Sequence, residues 1–252
     1  MLKLISFILL FSQIILSQGI TVNRKHYFDN LGGGGSCPAE IFCDDFEDAD
    51  VADDWAGQTM GDDNEIGLST DSVYAGDYSA KWIWGGTNQD NYLYISIPNS
   101  TKVYITMYIN YGSGFHSGTA WGVTPFVTLY DGATVIGGLS VQAGGAGADV
   151  NNIQLDTNGD DVVFPDPNFL LSMWQKIELR WVKGATAGTG TMRVWWTHPV
   201  SGTLDSVSVA NVADNTLLCD KIVFGTDQPE TMGGTAIMYI DNIEIDSTSR
   251  RP

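Results

Sequence analysis

From about residue 66 onward, apolar and polar positions alternate in short runs separated by Gly, Asn and Asp. Within Lys102 to Asn110, Val103, Ile105, Met107 and Ile109 fall on one side and Tyr104, Thr106, Tyr108 and Asn110 on the other. Ile177, Leu179 and Trp181 oppose Lys176, Glu178 and Arg180 in the same way, and Met192, Val194 and Trp196 oppose Arg193, Trp195 and Thr197. A period of two is the side-chain repeat of an extended strand. The pattern predicts strands near 66–70, 78–84, 92–97, 102–110, 123–130, 134–142, 150–155, 161–164, 175–183, 191–197, 204–209, 218–224 and 236–246. No window sustains a long helical period. Regularly spaced short strands with Gly-rich turns predict an all-β, antiparallel two-sheet sandwich whose aliphatic sides meet between the sheets.

Two further stretches frame the chain. Ile41-Phe42-Cys43-Asp44-Asp45-Phe46-Glu47-Asp48 and Ile237-Met238-Tyr239-Ile240-Asp241-Asn242-Ile243-Glu244-Ile245 read as first and last strands, carrying carboxylates among β-branched and aromatic residues. Side by side they would close one domain, and their acids could share a cation. Asp156-Thr157-Asn158-Gly159-Asp160-Asp161 is a hairpin signal, because Asn-Gly tolerates the positive φ of a tight turn. Its oxygen-rich composition also resembles a calcium loop. However, the Gly falls early and Pro167 stands where a bidentate Glu would be needed, so a turn is the better reading.

Composition narrows the class. Residues 1–19 have a Lys3 start, an apolar core from Leu4 to Leu16 and small residues at Ser17-Gln18-Gly19, the layout of a secretory signal. That apolar run is shorter than the roughly 20 residues of a membrane span, and no later stretch is long or apolar enough to cross a bilayer, so no membrane insertion is expected after signal removal. Residues 20–36 form a tether ending in Gly32 to Gly35, residues 37–246 one block of the size of a single β-sandwich domain, and 247–252 a disordered tail. A net charge of −18 excludes nucleic acid as a plausible partner. Three cysteines in an exported chain leave at least one unpaired. Cys37–Cys43 closes a short loop and is the favoured disulfide, Cys43–Cys219 is the competing one, and in the first case Cys219 behaves as a small buried hydrophobe.

Phe42-Cys43-Asp44-Asp45-Phe46-Glu47 followed by Trp55 resembles the opening strand of concanavalin A-like jelly-roll domains in secreted proteins. Ser72-Val73-Tyr74-Ala75-Gly76-Asp77-Tyr78-Ser79-Ala80-Lys81 resembles their Gly turn feeding a strand. Trp174 to Trp181, then Met192 to Trp196, resembles the hairpin of the lectin-like and polysaccharide-lyase-like members, and Tyr239 to Ile243 the closing strand. The resemblance implies a jelly roll with a structural calcium between first and last strands. Its ligands would be Glu47 and Asp241, with Asp45 and carbonyls around Gly76 to Ser79 as further donors, since hard oxygen ligands suit Ca²⁺. The superfold hosts lectins, glycanases, lyases and adhesin parts, so the activity must come from the site.

The polar side of the predicted sheet offers that site. Tyr104, Tyr108 and Trp195 suit stacking on sugar rings, and Glu178, Arg180 and Arg193 suit hydrogen bonds to hydroxyls. This predicts a secreted, lectin-like carbohydrate-binding domain. A polysaccharide lyase is the alternative, with Tyr108, His116 or His198 moving the proton beside a uronate and Arg180 or Arg193 neutralising its carboxylate. His198, before Pro199, reads as a turn residue. No strand carries two carboxylates in a Glu-x-Asp-x-Glu pattern, which argues against retaining glycoside hydrolysis. A surface or virion decoration domain using the jelly roll only as scaffold is a third reading. Asn99-Ser100-Thr101 matches a glycosylation sequon, relevant only in a eukaryotic secretory route.

Overall fold

The computed structural model describes residues 39–48, 50–61, 64–85, 90–112, 123–143, 151–157, 162–163, 170, 172–212, 216–226 and 236–249, all within one unit, Pro38–Pro252. In chain order the strands are β1 (Phe42–Asp44), β2 (Gly57–Met60), β3 (Glu65–Ser69), β4 (Ser79–Trp84), β5 (Asn91–Ser100), β6 (Lys102–Tyr111), β7 (Val123–Asp131) and β8 (Thr134–Ala143). They continue with β9 (Asn151–Asp156), β10 (Val162–Val163), β11 (Gln175–Val182), β12 (Gly190–Thr197), β13 (Leu204–Val212), β14 (Cys219–Thr226) and β15 (Ala236–Asp246). All pairings are antiparallel. Sheet A runs β13-β12-β11-β6-β15-β4-β3, with β1 also on β15, and sheet B runs β10-β9-β8-β7-β14-β5-β2. The all-β, two-sheet antiparallel sandwich expected from the alternation is the fold observed.

The strand faces follow the sequence pattern. Val103, Ile105, Met107, Ile109, Ile177, Leu179, Trp181, Met192, Val194 and Trp196 are all buried in the core. They meet Leu93, Ile95, Val127, Leu129, Leu139, Val141, Ile153, Leu155, Ile222 and Phe224 of sheet B in one cluster. At about 25 cal/mol per Å² of apolar area removed from water, this layer is the main favourable term in folding. Gly137 shows how tightly the sheets meet, since a Cβ there would lie 2.6 Å from Met192 Sδ on the facing sheet.

Two elements differ from expectation. The alternation predicts an opening strand that runs through the acidic stretch, but β1 stops after three residues, at Asp44. The Asp44 carboxylate accepts from Phe46 N at 2.7 Å and Trp55 Nε1 at 2.7 Å, and Phe46 turns to φ 59°. This side-chain-to-backbone turn ends the ladder, as short acidic side chains do elsewhere. Trp55 then anchors the exit, 5.0 Å from the Phe42 ring, 6.5 Å from Phe46 and 5.3 Å from Phe224 of sheet B. The other difference is β2, which the pattern does not reveal. Gly57-Gln58-Thr59-Met60 has no apolar alternation because it is an edge strand whose ladder with β5 defines it.

The first and last strands do pair, Phe42 with Ile245 and Asp44 with Ile243. The 155–163 hairpin also forms, with Leu155 opposite Val162, although its turn residues 158–161 lie outside the described ones. Residues 1–38, Cys37 among them, also lie outside, as do His116 and the tail residues 250–252. Cys219 is a buried free thiol, which removes the Cys43–Cys219 pairing.

Candidate functional site

Three parts of the chain converge at the middle of β15. Its N-terminal half pairs with β4 and its C-terminal half with β1, and the change of partner falls at a bulge between Asp241 and Glu244 where Asn242 has φ 49°. Here Glu47, just past β1, and Asp241 grip the turn that precedes β4. Glu47 accepts from Asp77 N at 2.9 and 3.0 Å and from Tyr78 N at 3.0 Å. Asp241 Oδ2 accepts from Tyr74 N at 2.9 Å and Ala75 N at 3.2 Å. Gly76, at φ 75°, is required between them, because a Cβ there would lie on the Glu47 carboxylate. Asp45 does not join this grip through the interactions seen, as its Oδ1 accepts from Glu47 N at 3.3 Å.

The donor set gives a partial fit to a hard cation. Asp241 Oδ1 is buried with no partner, and burial pushes the Asp241 carboxyl up to about 6, against hydrogen bonds that lower it and with the Glu47 charge adding to the rise. Two mutually repelling carboxylates with an orphan oxygen suit a calcium ion. The turn, however, presents its N–H groups to both acids, where the resemblance implied carbonyls. Among the described residues no cluster of three or more His, Cys, Asp or Glu forms a ready-made metal site.

Sheet A places Tyr104, Tyr108, Glu178, Arg180, Arg193 and Trp195 on its outer side by period-two geometry, and the burial pattern of β12 alternates as expected. Arg180 lies opposite both Tyr104 and Arg193, and Glu178 opposite Trp195. The Arg193 guanidinium sits 4.8 Å from the Trp195 ring and donates to Ser206 Oγ at 2.8 Å. Tyr108 is covered by Tyr74, with ring centroids 3.7 Å apart, and Trp174 stands edge-on to Tyr74 at 6.0 Å. Burial first, then contact with Tyr74, pushes the Tyr108 phenol upward, away from the range of a proton acceptor at neutral pH. His198 directly follows β12, its Nδ1 accepting from Val200 N at 3.2 Å and Ser201 N at 3.1 Å, as a turn residue would.

The outer side of sheet B carries a second polar set that the sequence reading missed. Cross-strand register puts Asp156, Gly138, Thr128, Val223, Tyr94 and Gly57 in one row, with Gln154 and Ser140 in the next. Ser140, Gln154 and Thr128 are buried although they point away from the core. The Asp156 carboxylate accepts from Ser140 Oγ and, at 2.7 Å, from Gln154 Nε2. Thr128 Oγ1 is buried without a partner. Tyr92 and Tyr94 stand 6.3 Å apart, and Tyr94 lies so close over Gly57 that a Cβ there would come within 2.7 Å of its ring. Lys221 Nζ lies 3.9 Å from the Tyr130 ring centroid beside them. The alternation in Leu139-Ser140-Val141 and Ile153-Gln154-Leu155-Asp156 was the available signal, since polar groups at those positions must share one face.

No family model matches the chain, and no curated protein matches its sequence. Solved structures do match it in shape. A cellulose-induced protein, Cip1, aligns at TM-score 0.55 and 16% identity over 82% of this chain and 97% of that one. An endo-β-1,4-glucuronan lyase from the fungus Trichoderma reesei aligns at TM-score 0.54 and 10% identity, over 82% and 95%. An alginate lyase from Aplysia kurodai aligns at TM-score 0.51 and 13% identity, over 72% and 87%. At these identities the likeness establishes a shared jelly-roll-type sandwich fold.

Proposed function

We propose that this protein is a secreted carbohydrate-recognising domain that holds a poly- or oligosaccharide on the outer side of sheet B. One observation carries the reading: a tyrosine pair, Tyr92 and Tyr94, stands on the same face as a pre-ordered Ser140–Asp156–Gln154 set and the unpartnered hydroxyl of Thr128. Aromatic rings beside fixed polar groups match a sugar's apolar ring face and its hydroxyl rim. Leaving Thr128 Oγ1 buried and unsatisfied costs roughly 1–3 kcal/mol, which a ligand hydroxyl or a bridging water would offset. The fold is shared with a glucuronan lyase and an alginate lyase, which supports polysaccharide as the ligand class by analogy. Calcium on Glu47 and Asp241 is proposed as a structural ion, and Cys37–Cys43 as the disulfide.

Polysaccharide lyase is the second reading, favoured by those same two fold relatives. β-Elimination needs a base near the uronate C5 proton, a donor to the leaving oxygen and a neutraliser for the carboxylate. On sheet B the nearby phenols are Tyr92, Tyr94 and Tyr130, and Lys221 is a cation available for the third role. Arg180 belongs to sheet A and is not part of this set. A glycan-array screen beside an absorbance assay for unsaturated uronates decides between the two. Binding without new absorbance, lost in Tyr94→Ala, supports recognition. New absorbance on acidic polysaccharides makes the protein a lyase, and no binding to any glycan refutes both.

A further inference from the structure

The outer side of sheet A holds a pair of cations that the sheet B reading does not use. Arg180 and Arg193 face each other directly across β11 and β12. The row runs Asp246, Tyr104, Arg180, Arg193, Ser208, and the row above it Glu244, Thr106, Glu178, Trp195, Ser206. Like charges directly opposite one another weaken a sheet. The chain has only 12 Lys and Arg against 30 Asp and Glu, so two adjacent arginines are not a sample of a generally basic surface. Glu178 directs its carboxylate to Lys176 Nζ at 3.6 Å, and Asp246 accepts from Thr248 N at 3.2 Å and Thr248 Oγ1 at 3.1 Å.

The guanidinium groups are also incompletely bonded. Arg180 Nε and Arg193 Nε are both buried with no hydrogen-bond partner. Buried donors left unmade are costly, the more so on a charged group. An oxyanion placed between the two forks answers both problems, since it bridges the like charges and accepts the free N–H groups in the geometry that guanidinium prefers. The half-buried Trp195 ring, 4.8 Å from the Arg193 guanidinium, lies next to that point on the same side of the sheet, with Tyr104 on the other flank.

We infer that Arg180 and Arg193 form a binding site for a single oxyanion, a carboxylate or sulfate, carried on a sugar ring that lies against Trp195. The sugar ring rests on the carbohydrate reading above; the anion site itself does not. The carboxylates of Asp246 in the same row and of Glu178 and Glu244 in the next, and the net charge of −18, restrict the site to one isolated anionic group rather than a dense polyanion.

The test uses the whole protein and titration calorimetry with alginate oligosaccharides, their carboxyl-reduced counterparts, sulfated galactan oligosaccharides and inorganic sulfate. Acidic oligosaccharides are expected to bind, and Arg180→Gln or Arg193→Gln to weaken them about tenfold or more while leaving carboxyl-reduced oligosaccharides unchanged. Arg193→Lys, which keeps the charge and removes the fork, should weaken them as well. Melting temperatures of the arginine variants should match or exceed the parent's, because a repulsive pair is relieved. Preference for the uronate or the sulfated series identifies the anion. Equal affinity for acidic and reduced oligosaccharides, or arginine variants that bind unchanged, overturns the site. An Arg180→Gln protein that unfolds overturns it too, since the arginine is then structural. Failure of the carbohydrate reading looks different: no oligosaccharide binds, acidic or reduced, while inorganic sulfate still binds in an Arg180-dependent way.

Discussion

Gly76→Ala is the sharpest single perturbation of the grip on the turn before β4. At φ 75° an alanine sits in the left-handed region, at a cost of roughly 1–2 kcal/mol. Its methyl would also occupy the place of the Glu47 carboxylate, forcing that group off the N–H donors of Asp77 and Tyr78. Those hydrogen bonds are to a charged acceptor but reach water, so the low end of roughly 1.5–3 kcal/mol applies. The total is about 2.5–3.5 kcal/mol, or a melting temperature lower by about 10 °C for a domain of this size. Glu47→Ala alone should lose only the carboxylate's share. In the Glu47→Ala background, Gly76→Ala should therefore cost only the backbone share, giving a coupling of about 1.5 kcal/mol. Thermal and urea unfolding of the four proteins measure this. Additive effects, or a Gly76→Ala protein that melts like the parent, would refute the steric argument. Calcium enters the same experiment. At a hundredfold excess over its dissociation constant it should add about 2.7 kcal/mol to the parent and nothing to Glu47→Gln or Asp241→Asn. A curve indifferent to calcium and EDTA sinks the ion while leaving the turn energetics intact.

Two further outcomes follow from buried groups. Burial pushes the Asp44 carboxyl from 3.8 up to about 8, despite donors from Phe46 and Trp55. The folded protein thus holds a proton that the unfolded chain releases, so stability falls as pH rises between those values, and Asp44→Asn should flatten that slope. Urea midpoints at about pH 5 and pH 8.5 check it, and equal slopes in parent and variant would contradict it. Cys219 is fully buried, and burial pushes its thiol up as well. A thiol reagent should find none in the native protein and one after non-reducing denaturation, whereas three would remove the Cys37–Cys43 bond.

The period of two was sufficient to determine fold class, most strand positions and the face of each central strand of sheet A. Burial of one face dictates which residues are apolar, and that is a local property of the chain. The pairing of first with last strand was also legible, through matching β-branched stretches with carboxylates. Edge strand β2 was not, because an edge strand buries little and its hydrogen bonds come from a partner more than 30 residues away. The end of β1 at Asp44 depended on Trp55 reaching back to its carboxylate, a contact across 11 residues. Site chemistry was divided in the same way. Alternation placed Arg180, Arg193 and Trp195 on one side of a sheet, but only cross-strand register made the arginines direct neighbours with unmade hydrogen bonds. Ser140, Gln154 and Asp156 are polar positions in ordinary strands until β8 and β9 pair and set them around one carboxylate. Sequence determines which way a side chain points; which side chains meet is decided by the order of strands in the sheet, and that order is set by the packing of the whole sandwich.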